Sequence, residues 1–102
     1  MLEATAECHS NSIIHRDIKP DNFLLKTKID SVTGEKMQHI KLADFGISCV
    51  YDADAPPTVK CGTMEYAAPE IISQPHYDKK VDCFSLGIIL FELLSQFETT
   101  QF

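Results

Sequence analysis

The stretch "IIHRDIKPDNFLL", residues 13–25, places a charged segment between two apolar runs. Its centre holds an Asp, a Lys two residues later and an Asn five residues later: Asp17, Lys19 and Asn22. A core segment would not carry these groups, and a solvated loop would not need apolar residues on both sides. The pattern therefore predicts a short loop whose polar side chains are held in place by buried flanks.

The chemistry of these three side chains suits a reaction on a phosphate group. A fixed carboxylate such as Asp17 can accept a proton from a hydroxyl group. The ammonium group of Lys19 can neutralise a phosphate oxygen, and the amide oxygen of Asn22 is a hard ligand suited to Mg²⁺. Taken alone, Asp17 has a plainer interpretation as a solvated turn residue, so further motifs are needed.

Three more motifs follow in order along the chain. Asp44-Phe45-Gly46 comes directly after a predicted strand, where an Asp can bind a metal and a Gly permits a turn. The sequence "GTMEYAAPE" spans residues 62–70, and Asp82, Ser85 and Gly87 lie within a strongly apolar helix. Each motif alone is compatible with an ordinary turn or helix end. The ordered set is what points to a function.

The composition is that of one small globular domain. The chain has 102 residues, of which 44% are hydrophobic, and this content argues against disorder. A formal net charge of −6 argues against general nucleic-acid binding, although it permits a single nucleotide bound with Mg²⁺.

The cysteines and the apolar segments bear on the location of the protein. The four cysteines are irregularly spaced, so we expect free thiols in a reducing compartment and no zinc site. We identify no signal peptide, and the longest nearly apolar run, residues 83–94, is too short to span a bilayer. We therefore expect a soluble cytoplasmic protein without a membrane partner.

The sequence pattern predicts few regular elements. In order, they are a helix over 2–9, strands over 23–26 and 39–42, a helical turn over 69–73 and a helix over 79–96. A long loop with a turn at Thr33-Gly34 is expected to join the two strands. The last helix begins after Asp78, a suitable N-cap, and its apolar residues cover nearly all faces, which predicts burial on every side.

Together these motifs resemble the catalytic domain of eukaryotic-type Ser/Thr protein kinases. His15-Arg16-Asp17 with Asn22 matches the pattern H-R-D-x-x-x-x-N, Asp44-Phe45-Gly46 matches D-F-G, and Ala68-Pro69-Glu70 matches A-P-E. The resemblance implies an α+β fold, namely part of the large C-terminal lobe, mostly helix and loop with a short β-hairpin. It also implies transfer of the γ-phosphoryl group of ATP to a Ser or Thr of a protein substrate, with ATP and Mg²⁺ as cofactors.

The same resemblance implies roles for individual residues. Asp17 would be the catalytic base, and Lys19 would contact ATP and stabilise charge on the transferred phosphoryl group. Asn22 and Asp44 would bind Mg²⁺ and, through it, the phosphates of ATP. Thr63 would orient Asp17 and Lys19, and the presence of Lys19 favours Ser/Thr over Tyr specificity.

Other matched residues are expected to be structural or regulatory. His15 and Phe45 would belong to a packed spine, and Asp82 would hydrogen-bond back to the loop that contains Asp17. Arg16 would bind a phosphate on the activation segment, for which Thr58 is the expected phosphorylation site.

The sequence also departs from the family pattern. Its four glycines form no G-x-G-x-x-G motif, and no lysine of the V-A-I-K type is present. We therefore expect residues 1–102 to be a partial kinase domain, without the small lobe and the last large-lobe helices, that is inactive alone. Glu70 would then lack the arginine with which this glutamate pairs in the family.

Two other functions are compatible with the sequence. A truncated kinase or pseudokinase could serve as a binding or scaffold protein, because the expected small lobe is missing. A small-molecule phosphotransferase of related fold is a weaker alternative. The combination of "HRDIKPDN" with "GTMEYAAPE" argues against it, since the second motif belongs to kinases that act on proteins.

Overall fold

The computed structural model describes residues 1–95, which form three helices and two small antiparallel sheets. The helices are α1 (Leu2–Ser10), α2 (Glu70–Ser73) and α3 (Lys80–Ser95), and the strands are β1 (Ile13–Ile14), β2 (Phe23–Ile29), β3 (Lys36–Leu42) and β4 (Cys49–Val50). A short 3₁₀ turn, Pro20–Asn22, leads into β2. The α+β class predicted from the sequence is confirmed.

The hairpin of β2 and β3 is longer than the sequence pattern predicted. Each strand has seven residues in continuous register, so the strand predicted over 23–26 ended too early and the strand predicted over 39–42 began too late. The connection is correspondingly short, and the predicted long loop is wrong. Asp30 N–H donates to Glu35 O at 2.8 Å, and Gly34 closes the turn with a φ of +70°, a conformation that glycine adopts without strain.

The pairing of β1 with β4 was not predicted. Ile13 lies opposite Val50, and Ile14 lies opposite Cys49. Two-residue strands carry almost no periodicity, so their pairing is set by tertiary contacts and not by sequence pattern. The pairing brings the segment that follows Asp44-Phe45-Gly46 alongside the entrance to the 15–22 loop.

The core of the described residues is small and centres on Ile14. Its other members come from α2, α3 and the segments before them: Ala68, Ile71, Tyr77 and Val81. The apolar side chains of β2 and β3, in contrast, are mostly exposed. Most of the hairpin therefore extends from the core, and its residue-23 end is attached to the 15–22 loop.

Helix α3 buries only one of its faces. Val81 and Ile89 are buried, together with the polar side chains of Asp82 and Ser85. Large apolar side chains on the other faces are exposed: Phe84, Leu90, Phe91, Leu93 and Leu94. The prediction of burial on every side is therefore wrong for residues 1–95, because within this range no element covers those faces.

The start of α3 is close to the predicted one. The helix begins at Lys80, whose N–H donates to Asp78 Oδ1 at 2.9 Å, and the predicted end at Gln96 lies outside the described residues. Across the described part of the chain, every helix is too short or too polar to cross a membrane.

Candidate active site

The start of the 15–22 loop is fixed by Asp82 of α3. Asp82 Oδ2 accepts the backbone N–H of His15 at 2.9 Å, and its Oδ1 accepts that of Arg16 at 3.0 Å. The ring of His9 lies 2.9 Å from the same Oδ2 atom. Asp82 is only 1% exposed, so water has little access to the carboxylate that accepts these bonds. They hold Arg16 at a φ of +71°, an uncommon value for a residue with a side chain. This backbone conformation sets the direction in which the side chain of Asp17 projects from the loop.

Asp17 and Lys19 are brought together by the hydroxyl group of Thr63. Thr63 Oγ1 donates to Asp17 Oδ1 at 2.7 Å and accepts a hydrogen bond from Lys19 Nζ at 3.0 Å. Lys19 Nζ also lies 3.9 Å from Asp17 Oδ2. The side chains of Asp17 and Lys19 are 16% and 24% exposed, so a substrate group can still reach both. The contacts make a carboxylate and an ammonium group adjacent at the surface.

Asn22 lies below this cluster and is largely buried. Its Nδ2 donates to Asp17 O at 2.8 Å and makes a longer contact of 3.4 Å with Asp17 Oδ2. Both contacts use the amide nitrogen, so the amide oxygen is the atom available for a cation. The backbone O of Asn22 accepts the N–H of Ala43 at 2.8 Å, which places Asp44 immediately after a residue bonded to Asn22.

Asp44 is exposed and has a φ of +58°. Its Oδ1 accepts the N–H of Gly46 at 3.3 Å, which orients the carboxylate within the turn. Asn22 and Asp44 supply hard oxygen atoms, the ligands that Mg²⁺ prefers. No set of three or more His, Cys, Asp or Glu is arranged for a metal anywhere in residues 1–95. Two protein ligands nevertheless suit Mg²⁺, since it usually keeps water and substrate phosphates as its other ligands.

His15 is a packed residue with both ring nitrogens engaged. Its Nδ1 accepts the N–H of Asp17 at 3.1 Å, so its Nε2 is the atom that donates to Ala43 O at 2.8 Å. The ring of Phe45 meets the ring of His15 edge-on, with centroids 4.9 Å apart. This contact joins the 15–22 loop to the turn that carries Asp44.

The segment before Thr63 approaches the backbone of Arg16 closely. Gly62 has a φ of +99°, and a Cβ atom at this position would lie 2.8 Å from the carbonyl oxygen of Arg16. Such a distance is well inside ordinary van der Waals contact, so only glycine allows this approach. Gly62 is thus required for Thr63 to reach Asp17.

The side chain of Arg16 contacts two parts of the chain that are distant in sequence. Its Nε donates to Ile47 O at 2.6 Å, and its Nη1 donates to the hydroxyl of Tyr77 at 3.2 Å. Burial raises the pKa of the Tyr77 phenol, although the hydrogen bond from Arg16 acts in the opposite direction. Burial alone would lower the pKa of Arg16, but the Tyr77 bond and the nearby thiols of Cys61 and Cys49 outweigh it and raise that pKa.

Helix α3 also holds the 62–70 segment. Ser85 Oγ donates to Tyr66 O at 2.7 Å, and the Tyr66 hydroxyl lies 2.9 Å from each carboxylate oxygen of Glu92. Glu70 is half-buried at the start of α2 and, in the described part of the chain, forms no ion pair. Thr58 is exposed on the segment that precedes Gly62.

Two residues that contact this site were not predicted from the sequence. Tyr77 lies before α3 and belongs to no motif, and His9 is one of four scattered histidines, so neither could be identified from the sequence. Ser85 and Gly62 belonged to quoted motifs, but their contacts could not be assigned. All of these contacts join residues that are distant in sequence, and such contacts depend on the tertiary fold.

The geometry agrees with comparisons with known proteins. The family model described as "Protein kinase domain" matches residues 1–101. The chain belongs to the protein kinase domain family.

Three relatives illustrate this membership. The chain is 46% identical over 94 residues to "Aurora kinase" of Dictyostelium discoideum, which covers 92% of this chain and 22% of the relative. It is 43% identical over 101 residues to "Phosphorylase b kinase gamma catalytic chain, liver/testis isoform" of Mus musculus, with 93% and 23% covered. It is 41% identical over 98 residues to "Calcium/calmodulin-dependent protein kinase type IV" of Mus musculus, with 96% and 20% covered. This kinase-family chain spans about a fifth of the length of these relatives.

Proposed function

We propose that this chain is the catalytic-loop portion of a Ser/Thr protein kinase, which transfers the γ-phosphoryl group of ATP to a Ser or Thr hydroxyl of a protein. The observation that carries the proposal is the contact of Thr63 Oγ1 with both Asp17 and Lys19. It holds a base and a cation side by side, and phosphoryl transfer depends mainly on such positioning and electrostatic stabilisation.

In the proposed reaction, Asp17 accepts the proton of the substrate hydroxyl. The substrate oxygen forms a bond to the γ-phosphorus as the bond between that phosphorus and the bridging oxygen breaks, and ADP leaves. The ammonium group of Lys19 stabilises negative charge on the transferred group. Asn22 supports the base, because its Nδ2 is hydrogen-bonded to the backbone of Asp17.

The proposed cofactors are ATP and Mg²⁺, which protein kinases use as a family. Asn22 and Asp44 are the residues that would hold Mg²⁺, and the ion would neutralise charge on the phosphates of ATP when bound. The contact of Ala43 with Asn22 supports this assignment, because it ties the two ligand-bearing turns together.

Thr58 remains our proposed phosphorylation site, with Arg16 as the residue that binds the phosphate. The exposure of Thr58 supports access by a modifying enzyme. Arg16 uses two of its five N–H donors on Ile47 and Tyr77, so others are available for a phosphate.

A cytoplasmic location belongs to the same proposal, since all four cysteines are free thiols, as a reducing compartment favours.

The test is transfer of radiolabelled phosphate from ATP with Mg²⁺ to a mixture of Ser and Thr peptides, with Tyr peptides as a specificity control. The enzyme assayed is the natural gene product, that is, the whole translated polypeptide that contains these residues. We expect Asp17→Asn to lower the rate by about 10²- to 10⁴-fold. Residues 1–102 expressed alone are predicted to be inactive, because the sequence contains no G-x-G-x-x-G motif. Unaltered transfer by Asp17→Asn would contradict the role of Asp17.

A binding or scaffold role is the second candidate. It is favoured by the exposed apolar faces of α3, since apolar patches of this kind usually mark contact surfaces. This function predicts a natural gene product that engages partners but transfers no phosphate in the same assay. The two candidates are therefore separated by one measurement.

A further inference from the structure

Tyr77 connects the segment before Thr63 to the rest of the chain through both its backbone and its side chain. Its N–H donates to Pro57 O at 3.2 Å, and its hydroxyl donates to Val59 O at 2.5 Å. The Cys61 Sγ atom lies 3.7 Å from the same hydroxyl. Tyr77 thus contacts every second residue from 57 to 61, through its backbone at Pro57 and its hydroxyl at Val59 and Cys61, and so holds an extended segment.

The Tyr77 hydroxyl also faces the catalytic loop. It accepts a hydrogen bond from Arg16 Nη1 at 3.2 Å while it donates to Val59. Tyr77 is 4% exposed and its ring packs in the core with Ile14 and Val81. Both hydrogen bonds are partly buried, and the buried ring fixes where the hydroxyl can lie. One oxygen atom therefore links Arg16, next to Asp17, to the segment that leads to Thr63.

The distance along the chain from this link to the active site is short. Val59 lies four residues before Thr63, and Gly62 between them lies so close to Arg16 that an added Cβ would be 2.8 Å from its carbonyl oxygen. If residues 57–61 moved away from Tyr77, Thr63 would be free to move away from Asp17. None of these contacts involves Thr58.

We propose that Tyr77 is a positioning residue for the site, whose hydroxyl group holds residues 57–61 against Arg16 and thereby keeps Thr63 in contact with Asp17 and Lys19. Its catalytic consequence rests on the proposed function, since the position of Thr63 affects turnover only if Asp17 and Lys19 act in transfer. Its mechanical part concerns only the contacts of the described residues.

The test compares Tyr77→Phe with Tyr51→Phe in the natural gene product. Both changes remove one hydroxyl from a tyrosine in contact with the same core, but the Tyr51 hydroxyl makes no hydrogen bond among residues 1–95. The readout is amide hydrogen exchange at single-residue resolution. The reporters are the amides of Tyr66 and Ala67, which both donate to Thr63 O at 2.9 Å.

We expect Tyr77→Phe to speed exchange of these two amides about tenfold, the size expected for loss of a buried hydrogen bond. Exchange in the β2–β3 hairpin should not change, and Tyr51→Phe should match wild type at both places. Unchanged exchange at Tyr66 and Ala67 would overturn the proposal. A uniform increase that includes the hairpin would also overturn it, because it would show a role in global stability only.

A second readout separates positioning from the proposed function. In an active gene product, Tyr77→Phe should lower kcat about tenfold with the KM for ATP unchanged, because Asn22 and Asp44 are held by contacts that do not include Tyr77. If local exchange increases but the wild-type protein transfers no phosphate, the proposed function fails and the mechanical role of Tyr77 stands. If local exchange increases and kcat does not fall, the catalytic consequence is overturned.

Discussion

Thr63 connects Asp17 to Lys19, since its hydroxyl group is hydrogen-bonded to both side chains. We predict that Thr63→Val lowers kcat by about 10²-fold, because the variant keeps the branched shape but leaves the base and the cation unaligned. The measurement is steady-state phosphoryl transfer by the natural gene product. Thr27→Val is the matched control, since Thr27 is exposed on β2, and it should retain the wild-type kcat. Equal rates for the two variants would contradict the prediction.

Asp82 stabilises the backbone at the start of the loop rather than the reaction itself. Its carboxylate accepts the N–H groups of His15 and Arg16 and contacts His9, all in a buried position. In Asp82→Asn one acceptor oxygen becomes an NH₂ donor, so one of these N–H groups is left unpaired. We predict a loss of about 2–3 kcal/mol in the free energy of unfolding, measured by urea titration of the natural gene product.

The matched control for that loss is Asp54→Asn. Asp54 is exposed in the segment after β4, so this change should alter the free energy of unfolding by less than about 0.5 kcal/mol. A similar urea midpoint for the two variants would show that the Asp82 contacts contribute little to stability.

Tyr77 should make stability depend on pH in the alkaline range. Burial raises the pKa of its phenol in the folded chain, so the folded state keeps this proton to a higher pH than the unfolded state does. The associated stabilisation is complete below the unfolded pKa of about 10 and is lost as the pH rises through the folded pKa. Wild type should therefore lose stability relative to Tyr77→Phe over the range above about pH 10, and not below it. A difference that stays constant over that range would contradict this prediction.

The sequence identifies single residues where they belong to a motif with recognisable chemistry. Asp17, Lys19 and Thr63 were all identified from the sequence, and the structure brings them together. Tyr77 and His9 were missed because one hydroxyl or one ring nitrogen reaching a residue 61 or 73 positions away leaves no local pattern. Motifs indicate the chemistry, whereas contacts that position the motif depend on the fold.

At the scale of elements, the turn of the β2–β3 hairpin depends on Gly34. Its φ of +70° is free of strain for glycine but costs energy for a residue with a Cβ, and no atom lies within 4 Å of the place where a Cβ would be. We predict that Gly34→Ala destabilises the hairpin by about 1 kcal/mol through backbone strain alone. The measurement is amide exchange of the hairpin residues.

Gly87 offers a control of opposite sign. It lies inside α3, and a Cβ there would also meet no atom within 4 Å. Gly87→Ala should therefore stabilise the protein by about 0.5–1 kcal/mol, because alanine is the better helix former. If Gly34→Ala stabilised the hairpin as well, the turn conformation would not be the cause.

The elements also show how far patterns reach. The start of helix α3 was predicted to within one residue, because a long apolar segment after a capping Asp is a strong helix signal. The end of β2 and the start of β3 were missed because residues 27–29 and 36–38 mix polar and apolar side chains on an exposed hairpin. Burial gives strands their alternating pattern, so an exposed hairpin has little pattern to detect.

At the scale of the whole molecule, the large apolar side chains that α3 exposes determine what to expect of residues 1–102 alone. The buried core of the described residues is small, while Phe84, Leu90 and Leu94 are exposed to water on the longest helix. A chain of about 100 residues needs most of its apolar side chains buried to offset the entropy lost on folding. We predict that these residues, expressed alone, give no sharp thermal transition.

The measurement is differential scanning calorimetry together with the dispersion of amide signals in NMR spectra. The control is the natural gene product, which should melt cooperatively if its further polypeptide covers these faces. The exposed face of α3 should then be protected from hydrogen–deuterium exchange in the gene product but not in residues 1–102. A sharp transition and well-dispersed amide signals for residues 1–102 alone would show that the small core centred on Ile14 is sufficient, and the exposed α3 residues would then need another explanation.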